Sequence, residues 1–239
     1  MRRVAWIAVG AAIAIGAIVT VGLLALRNRS TPIEVSYTGA VGTEVGDPGV
    51  YRYDTVGFES VDALAGARHD YPDVTAMVLE EALCGIVLRW EPLEQRRDEW
   101  WWCGPGLSVS TIVEFHAWFG IGETTETACQ GLRLQAQGEG SWEASCTRAD
   151  TAITVFVEQI GVEMVTIGAT PIDTLHVRMT ETTTGRTEGT RVTDLWMVPG
   201  TTLPAKKRVV DRSTSSSPIG DVTYVEEYSL VLRSLTPTG

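Results

Sequence analysis

Beyond residue 26 the chain lacks any capped amphipathic helix of three turns; 60–67 and 75–83 are the only short helical candidates. Little room is left for an α-helical architecture. Cysteine is sparse as well. Its four residues, Cys84, Cys103, Cys129 and Cys146, include no C-x-x-C pair, and the three histidines, His69, His116 and His176, are scattered. The ligand spacing of a structural zinc site is therefore missing. So are the P-loop, the zincin H-E-x-x-H, the dinucleotide fingerprint and the nucleophile elbow. Gly104-Pro-Gly-Leu-Ser-Val-Ser has neither the spacing nor the strand-turn-helix setting of the last. On these grounds no catalytic, cofactor-binding or metal-binding residue is assigned, and enzymatic activity is not expected.

Positive charge is also scarce. Residues 30–239 hold 15 Arg and Lys against 30 Asp and Glu, a formal charge of −15. Such a surface repels nucleic-acid phosphates and anionic lipid headgroups, which disfavours nucleic-acid binding and electrostatic adhesion to a membrane. Its default role is solubility. Lysine is limited to Lys206 and Lys207 against 17 Arg, and asparagine to Asn28, the usage of a GC-rich genome.

Charge is absent altogether from Val4 to Leu26, 23 residues flanked by Arg2 and Arg3 and by Arg27 and Arg29. At about 1.5 Å per residue a helix of this length covers the roughly 30 Å hydrocarbon core of a bilayer. A cleaved signal peptide has a shorter apolar region and a small-x-small exit, whereas this run leaves through Leu24-Ala25-Leu26-Arg27. The reading is an uncleaved anchor at 4–26, a cytoplasmic N-terminus at 1–3, a tether at 27–49 rich in Gly, Pro, Ser and Thr, and an extracellular domain at 50–239. Ala8, Ala12, Gly16 and Thr20 share one face of the anchor, where a second helix could approach closely. The even number and pairwise clustering of the cysteines point to two disulfides in an oxidising compartment, which puts the domain outside the cell membrane.

From Val50 onward period-two alternation dominates. Leu107, Val109, Val113, Phe115, Ala117 and Phe119 share one parity, and Ser108, Ser110, Glu114 and His116 the other, the pattern of a long half-buried strand. The alternation returns in Leu175, Val177 and Met179, in 192–198, and in Tyr224, Tyr228, Leu230 and Leu232. The fold expected is mainly antiparallel β, a curved sheet or half-barrel. Pairing Cys84 with Cys103 across a hairpin sets Arg89 opposite Asp98 and Trp90 opposite Arg97, both favourable cross-strand pairs. Pairing Cys129 with Cys146 puts a turn at Gln137-Gly138 and Trp142 opposite Arg133. Gly57-Phe-Glu-Ser-Val and Gly161-Val-Glu-Met-Val are similar enough to raise a second reading, two related halves at about 50–150 and 151–239, against which stands chance recurrence of turn glycines.

Two resemblances follow from particular segments. Cys84-Gly-Ile-Val-Leu-Arg-Trp through Trp100-Trp-Trp-Cys103 resembles uncharacterised membrane-anchored, secreted β-rich proteins of actinobacteria. The C-terminal Thr193-Asp-Leu-Trp-Met-Val, Pro199-Gly-Thr-Thr-Leu-Pro204, Lys206-Lys-Arg-Val-Val and the closing 224–235 are distantly similar to the lipoprotein-carrier and lipid-carrying lipoprotein superfamily. In that superfamily such segments form consecutive rungs of a curved sheet, which implies a lipid ligand.

Candidate surfaces are aromatic. Trp90, Trp100, Trp101, Trp102, Trp142 and Trp196 could form a ligand or partner surface, against the plainer reading that they fill a sheet core. His116 with Glu114, and His69 with Asp70, are neighbouring acid-base pairs. The function expected is an anchored extracytoplasmic binding module for an apolar or amphiphilic ligand, such as a lipid, or for an envelope protein. The alternative is a structural or regulatory interaction domain with a filled core and no ligand.

Overall fold

The computed structural model describes residues 30–63, 66–103, 108–135, 140–217 and 220–239. The apolar run at 4–26 and the turn expected at Gln137-Gly138 lie outside the described residues, among which no helix is long and apolar enough to cross a membrane. Thirteen strands follow one another: β1 (Gly49–Val61), β2 (Ala67–Asp70), β3 (Val74–Ala82), β4 (Gly85–Leu93), β5 (Arg96–Cys103), β6 (Val109–Trp118), β7 (Ile121–Gln130), β8 (Ser141–Arg148), β9 (Thr151–Ile167), β10 (Thr170–Gly185), β11 (Thr187–Met197), β12 (Pro204–Ser217) and β13 (Gly220–Leu232).

From β3 to β13 each strand pairs antiparallel with the next, and β13 returns to β1, from Tyr53↔Leu232 to Val61↔Tyr224. The other edge of β1 is shared, with β3 along Gly49–Asp54 and β2 along Phe58–Val61. Twelve strands thus close into a barrel. This corrects the open curved sheet or half-barrel expected from the sequence. Alternation is the same in an open sheet and a closed one; the pairing of the first strand with the last decides between them. At Gly57 the strands press so close that a Cβ would lie 2.2 Å from the Glu227 carbonyl oxygen, so only glycine fits.

Both expected disulfides are present, Cys84–Cys103 and Cys129–Cys146. The register around the second is as expected, Cys129↔Cys146, but this ladder stops at Gln130↔Ser145, and Trp142 faces Val157 across β9 instead of Arg133. Around the first the register is displaced by one residue: Gly85 lies opposite Cys103, Arg89 opposite Glu99 and Trp90 opposite Asp98. Cys84 sits in the turn before β4 and bridges diagonally, which a disulfide tolerates. A slip of one moves every side chain to the other face.

The barrel is divided along its axis. At one end the inward side chains are apolar: Tyr51, Tyr53, Met77, Leu79, Trp90, Leu230 and Leu232 in one cluster, and Trp100, Trp102, Val155, Val157, Met179 and Leu195 in a second. Leu132 and Leu134, from the segment after β7, tuck into the same end and are fully buried. A void there, among Met77, Trp90, Trp100, Leu134 and Met197, is about 20 Å³, room for about one water molecule. Segment 30–49, expected as a tether, is held on the barrel wall. Glu94 donates its backbone N–H to the Thr31 carbonyl at 2.9 Å, and Val35 and Tyr37 pack on Val50, Ala76 and Val78.

A polar cavity above a charged floor

The other end of the barrel is open. A cavity of about 660 Å³ is bounded there by inward side chains of β6 to β13, among them Glu114, His116, Arg148, Glu181, Thr183, Arg191, Asp211, Ser213 and Tyr224. Trp118, Phe119 and Ile121 stand at its rim. On β6 the inward parity is Ile112, Glu114 and His116, so the polar parity of that strand points into the barrel.

The floor of the cavity is a ladder of paired charges. Arg191 of β11 donates to Glu114 at 2.7 Å and to Glu226 at 3.0 Å, and its Nε lies 3.5 Å from Asp211. Arg96 of β5, fully buried, donates to Asp98 and, at 3.0 Å, to Glu226; Tyr71 donates to the same Glu226 oxygen at 2.6 Å. Glu59 of β1, also fully buried, meets His69 Nδ1 at 2.8 Å, His116 Nδ1 at 2.9 Å and the Tyr224 hydroxyl at 3.1 Å. Arg148 reaches Glu114 at 3.5 Å, and Lys207 reaches Asp98 at 3.8 Å. Isolated buried charges cost several kcal/mol each, so shared pairing of this kind is the condition on which they are tolerated.

Six carboxyl groups, Glu59, Asp98, Glu114, Glu181, Asp211 and Glu226, face four cations, Arg96, Arg148, Arg191 and Lys207. Burial opposes ionisation of Glu59, but its histidine partners and Arg96 prevail and hold it down to about 2. Burial works the same way on Glu114, where Arg191, Arg148 and Arg96 prevail and keep it well below the carboxylate range. On Glu181 and Asp211 burial wins, pushing them up to about 7 and about 6. Near pH 7 Glu181 is therefore about half protonated, whereas Asp211 keeps its proton mainly below about pH 6.

Stability should follow. Because Glu181 and Asp211 titrate above their ordinary values of 4.5 and 3.8, the folded chain binds more protons than the unfolded one between about pH 4 and 7, and stability falls as pH rises through that window. Glu59 acts oppositely: its contribution is complete above its ordinary 4.5 and is lost as pH falls through about 2. Glu181→Gln with Asp211→Asn is expected to stabilise the fold by about 1–3 kcal/mol at pH 8 and hardly at all at pH 4. Urea unfolding at both pH values measures this; an equal effect at the two would contradict it.

The histidine partners differ from those the chain order suggests. His116 bonds to Glu59 and not to Glu114, whose oxygens are taken by Arg191 and Arg148. His69 likewise bonds to Glu59, while Asp70 pairs with Arg68. His69 also stacks on Trp118 at 4.2 Å. With Nδ1 held by a carboxylate, the partly exposed His116 ring can exchange a hydrogen bond or a proton at Nε2 with a molecule in the cavity.

None of the tryptophans proposed from the sequence lines this cavity. Trp90 (2% exposed), Trp100 and Trp102 are buried in the filled end, and Trp142 packs against the same core. Trp101 is half-buried on the opposite face of β5. Trp196 lies on the outer wall between the His176 ring at 4.2 Å and the Lys206 ammonium at 4.1 Å, and donates to Glu163 at 2.7 Å. Both its faces are covered. His176 there meets Glu163 and Asp194 with its two ring nitrogens, at 2.8 and 2.9 Å; donating to both carboxylates requires the imidazolium form. Glu59 and Glu163, each two residues after the glycine of the similar segments, therefore both hold a histidine that stacks on tryptophan.

Residues the sequence reading passed over include Glu59, Glu181, Arg191, Asp211 and Glu226. A signal was available: Glu226 falls in phase with Tyr224, Tyr228, Leu230 and Leu232, and Asp211 in phase with Val209. A charge on the apolar parity of a strand is a charge facing inward. Among the described residues no three of His, Cys, Asp and Glu are grouped to hold a metal ion. No family model, curated protein or solved structure matches the chain.

Proposed function

We propose that this chain is a membrane-anchored, extracytoplasmic receptor whose barrel takes up a small polar molecule, or the polar head of an amphiphile, in its open end. The observation that carries this reading is the cavity of about 660 Å³ whose walls combine hydroxyl groups, carboxyls and arginines above a floor already paired and rigid. That volume falls within the range of about 300–1,000 Å³ usual for ligand sites. Preorganised donors and acceptors let a polar ligand exchange its water shell for fixed partners without reorganising the protein. The two disulfides, together with the uncharged run from Val4 to Leu26, support an anchored domain outside the cell.

A filled interaction module is the second reading, favoured by the close packing of the apolar end. Native mass spectrometry of the full chain, released from its own membranes in detergent, distinguishes the two. The receptor reading expects a bound mass that disappears in Ser213→Trp, which fills the cavity from β12 while leaving the charged floor untouched. A chain without bound mass, or one that carries the same mass in both forms, argues for the interaction module.

A further inference from the structure

The chain leaves the described barrel at a defined place. Thr31 is fixed to the β4–β5 turn by its backbone N–H to Gln95 Oε1 at 3.0 Å and by its carbonyl, and Pro32 bridges to Leu93. The Gln95 carbonyl in turn accepts the Ala117 N–H at 2.8 Å, so the β6–β7 turn lies immediately beyond the point of departure. From Thr31 the chain runs the other way, down the outer wall past Val50, to begin β1 at the opposite end. Between Leu26 and Thr31 stand only four residues, Arg27, Asn28, Arg29 and Ser30. Fully extended, they reach no more than roughly 18 Å.

If residues 4–26 span a bilayer, the reading already given for the anchor, the β4–β5 turn must sit within that distance of the membrane. What projects beside it is the rim of the cavity mouth. Ile121 is 77% exposed, and Phe119 adopts φ of 56°, a conformation unusual for an aromatic residue. Trp118 and Phe119 stand behind Ile121, both partly buried, the Trp118 ring stacked on His69. Tryptophan, phenylalanine and isoleucine at one edge are the side chains that settle at the level of lipid headgroups. Elsewhere the wall exposes outward charges such as Arg52, Asp54, Glu143, Arg178, Arg208 and Glu227, and its exposed apolar side chains, Val162 and Met164 of β9 among them, lie outside this rim.

We propose that the rim formed by Trp118, Phe119 and Ile121 rests on the bilayer surface, so that the cavity opens onto the headgroup layer. Glu123, Glu126 and Asp150 at the mouth repel anionic lipid, which makes the fitting surface a zwitterionic one. A ligand then enters from the membrane interface and not from free solution. This inference rests on the anchor reading, and the test separates the two.

The full chain is reconstituted into phosphatidylcholine vesicles with a benzoylphenylalanine cross-linker in place of Ile121 or, separately, of Met164, which is 71% exposed on β9 toward the opposite end. Illumination should give lipid adducts, read by mass, at position 121 and none at 164. Alkaline carbonate extraction of the same vesicles reports on the anchor. Protein retained by the vesicles but without adducts at 121, or with equal adducts at both positions, overturns the rim proposal alone. Protein released by carbonate overturns the anchor reading and the rim proposal together.

Discussion

Arg96→Met is expected to cost at least about 3 kcal/mol of folding stability, at the high end for a single substitution. The guanidinium is completely buried and touches Asp98 and Glu226 directly, with Glu59 at 3.8 Å and Glu114 at 3.9 Å. Methionine keeps much of the volume but leaves these carboxylates facing one another without their shared cation, so the cost is the penalty of unpaired buried charge. Adding Glu226→Gln to Arg96→Met removes one such charge and should return part of the stability. The measurement is urea unfolding of the two variants beside the parent protein. A loss below about 1 kcal/mol, the level of an exposed pair, would mean that Arg96 is hydrated and that the floor does not seal the apolar end.

The second large effect separates two adjacent tryptophans. Trp102→Ala should destabilise by about 3–5 kcal/mol, the usual result of emptying a large aromatic site in a close-packed core. Trp102 is 4% exposed and packs with Trp100, Ile112 and their neighbours. Trp101→Ala should cost clearly less, because its ring lies on the outer face of β5 and is only partly buried. Equal costs would contradict the inward placement of Trp102 and the outward placement of Trp101. If Trp101 proved the more costly, β5 would have to turn its other face inward, whatever its register on β4.

That register shows where reasoning from residues stops. Counting between Cys84 and Cys103 correctly identified a hairpin and its bridge, yet put Trp90 opposite Arg97 where Asp98 stands. Either alignment offers an aromatic residue or an arginine something favourable to touch, so cross-strand chemistry alone could not choose between them. The Cys129–Cys146 hairpin was easier, since its bridge joins directly opposed residues. In β6, Glu114 and His116 were legible as the polar parity of a strand. That this parity faces inward was not, because direction depends on which side the other eleven strands of the barrel occupy.

Local order alone determined the antiparallel β character of the chain, its two disulfides and the positions of many strands, while 75–83, a helical candidate by its pattern, lies on strand β3. These depend on side-chain alternation and on cysteine spacing, properties of a single segment or of a neighbouring pair. Closure was settled by β13 meeting β1 across the whole length of the domain. The cavity, too, belongs to the tertiary structure alone. Glu59, Arg96, Glu114, Arg191 and Glu226 come from five different strands and become one network only after the barrel has closed. Ionisable side chains on separate strands read as solvent-facing until the fold shows that they share an interior. At that point mutual pairing, and no property of any one residue, is what permits their burial.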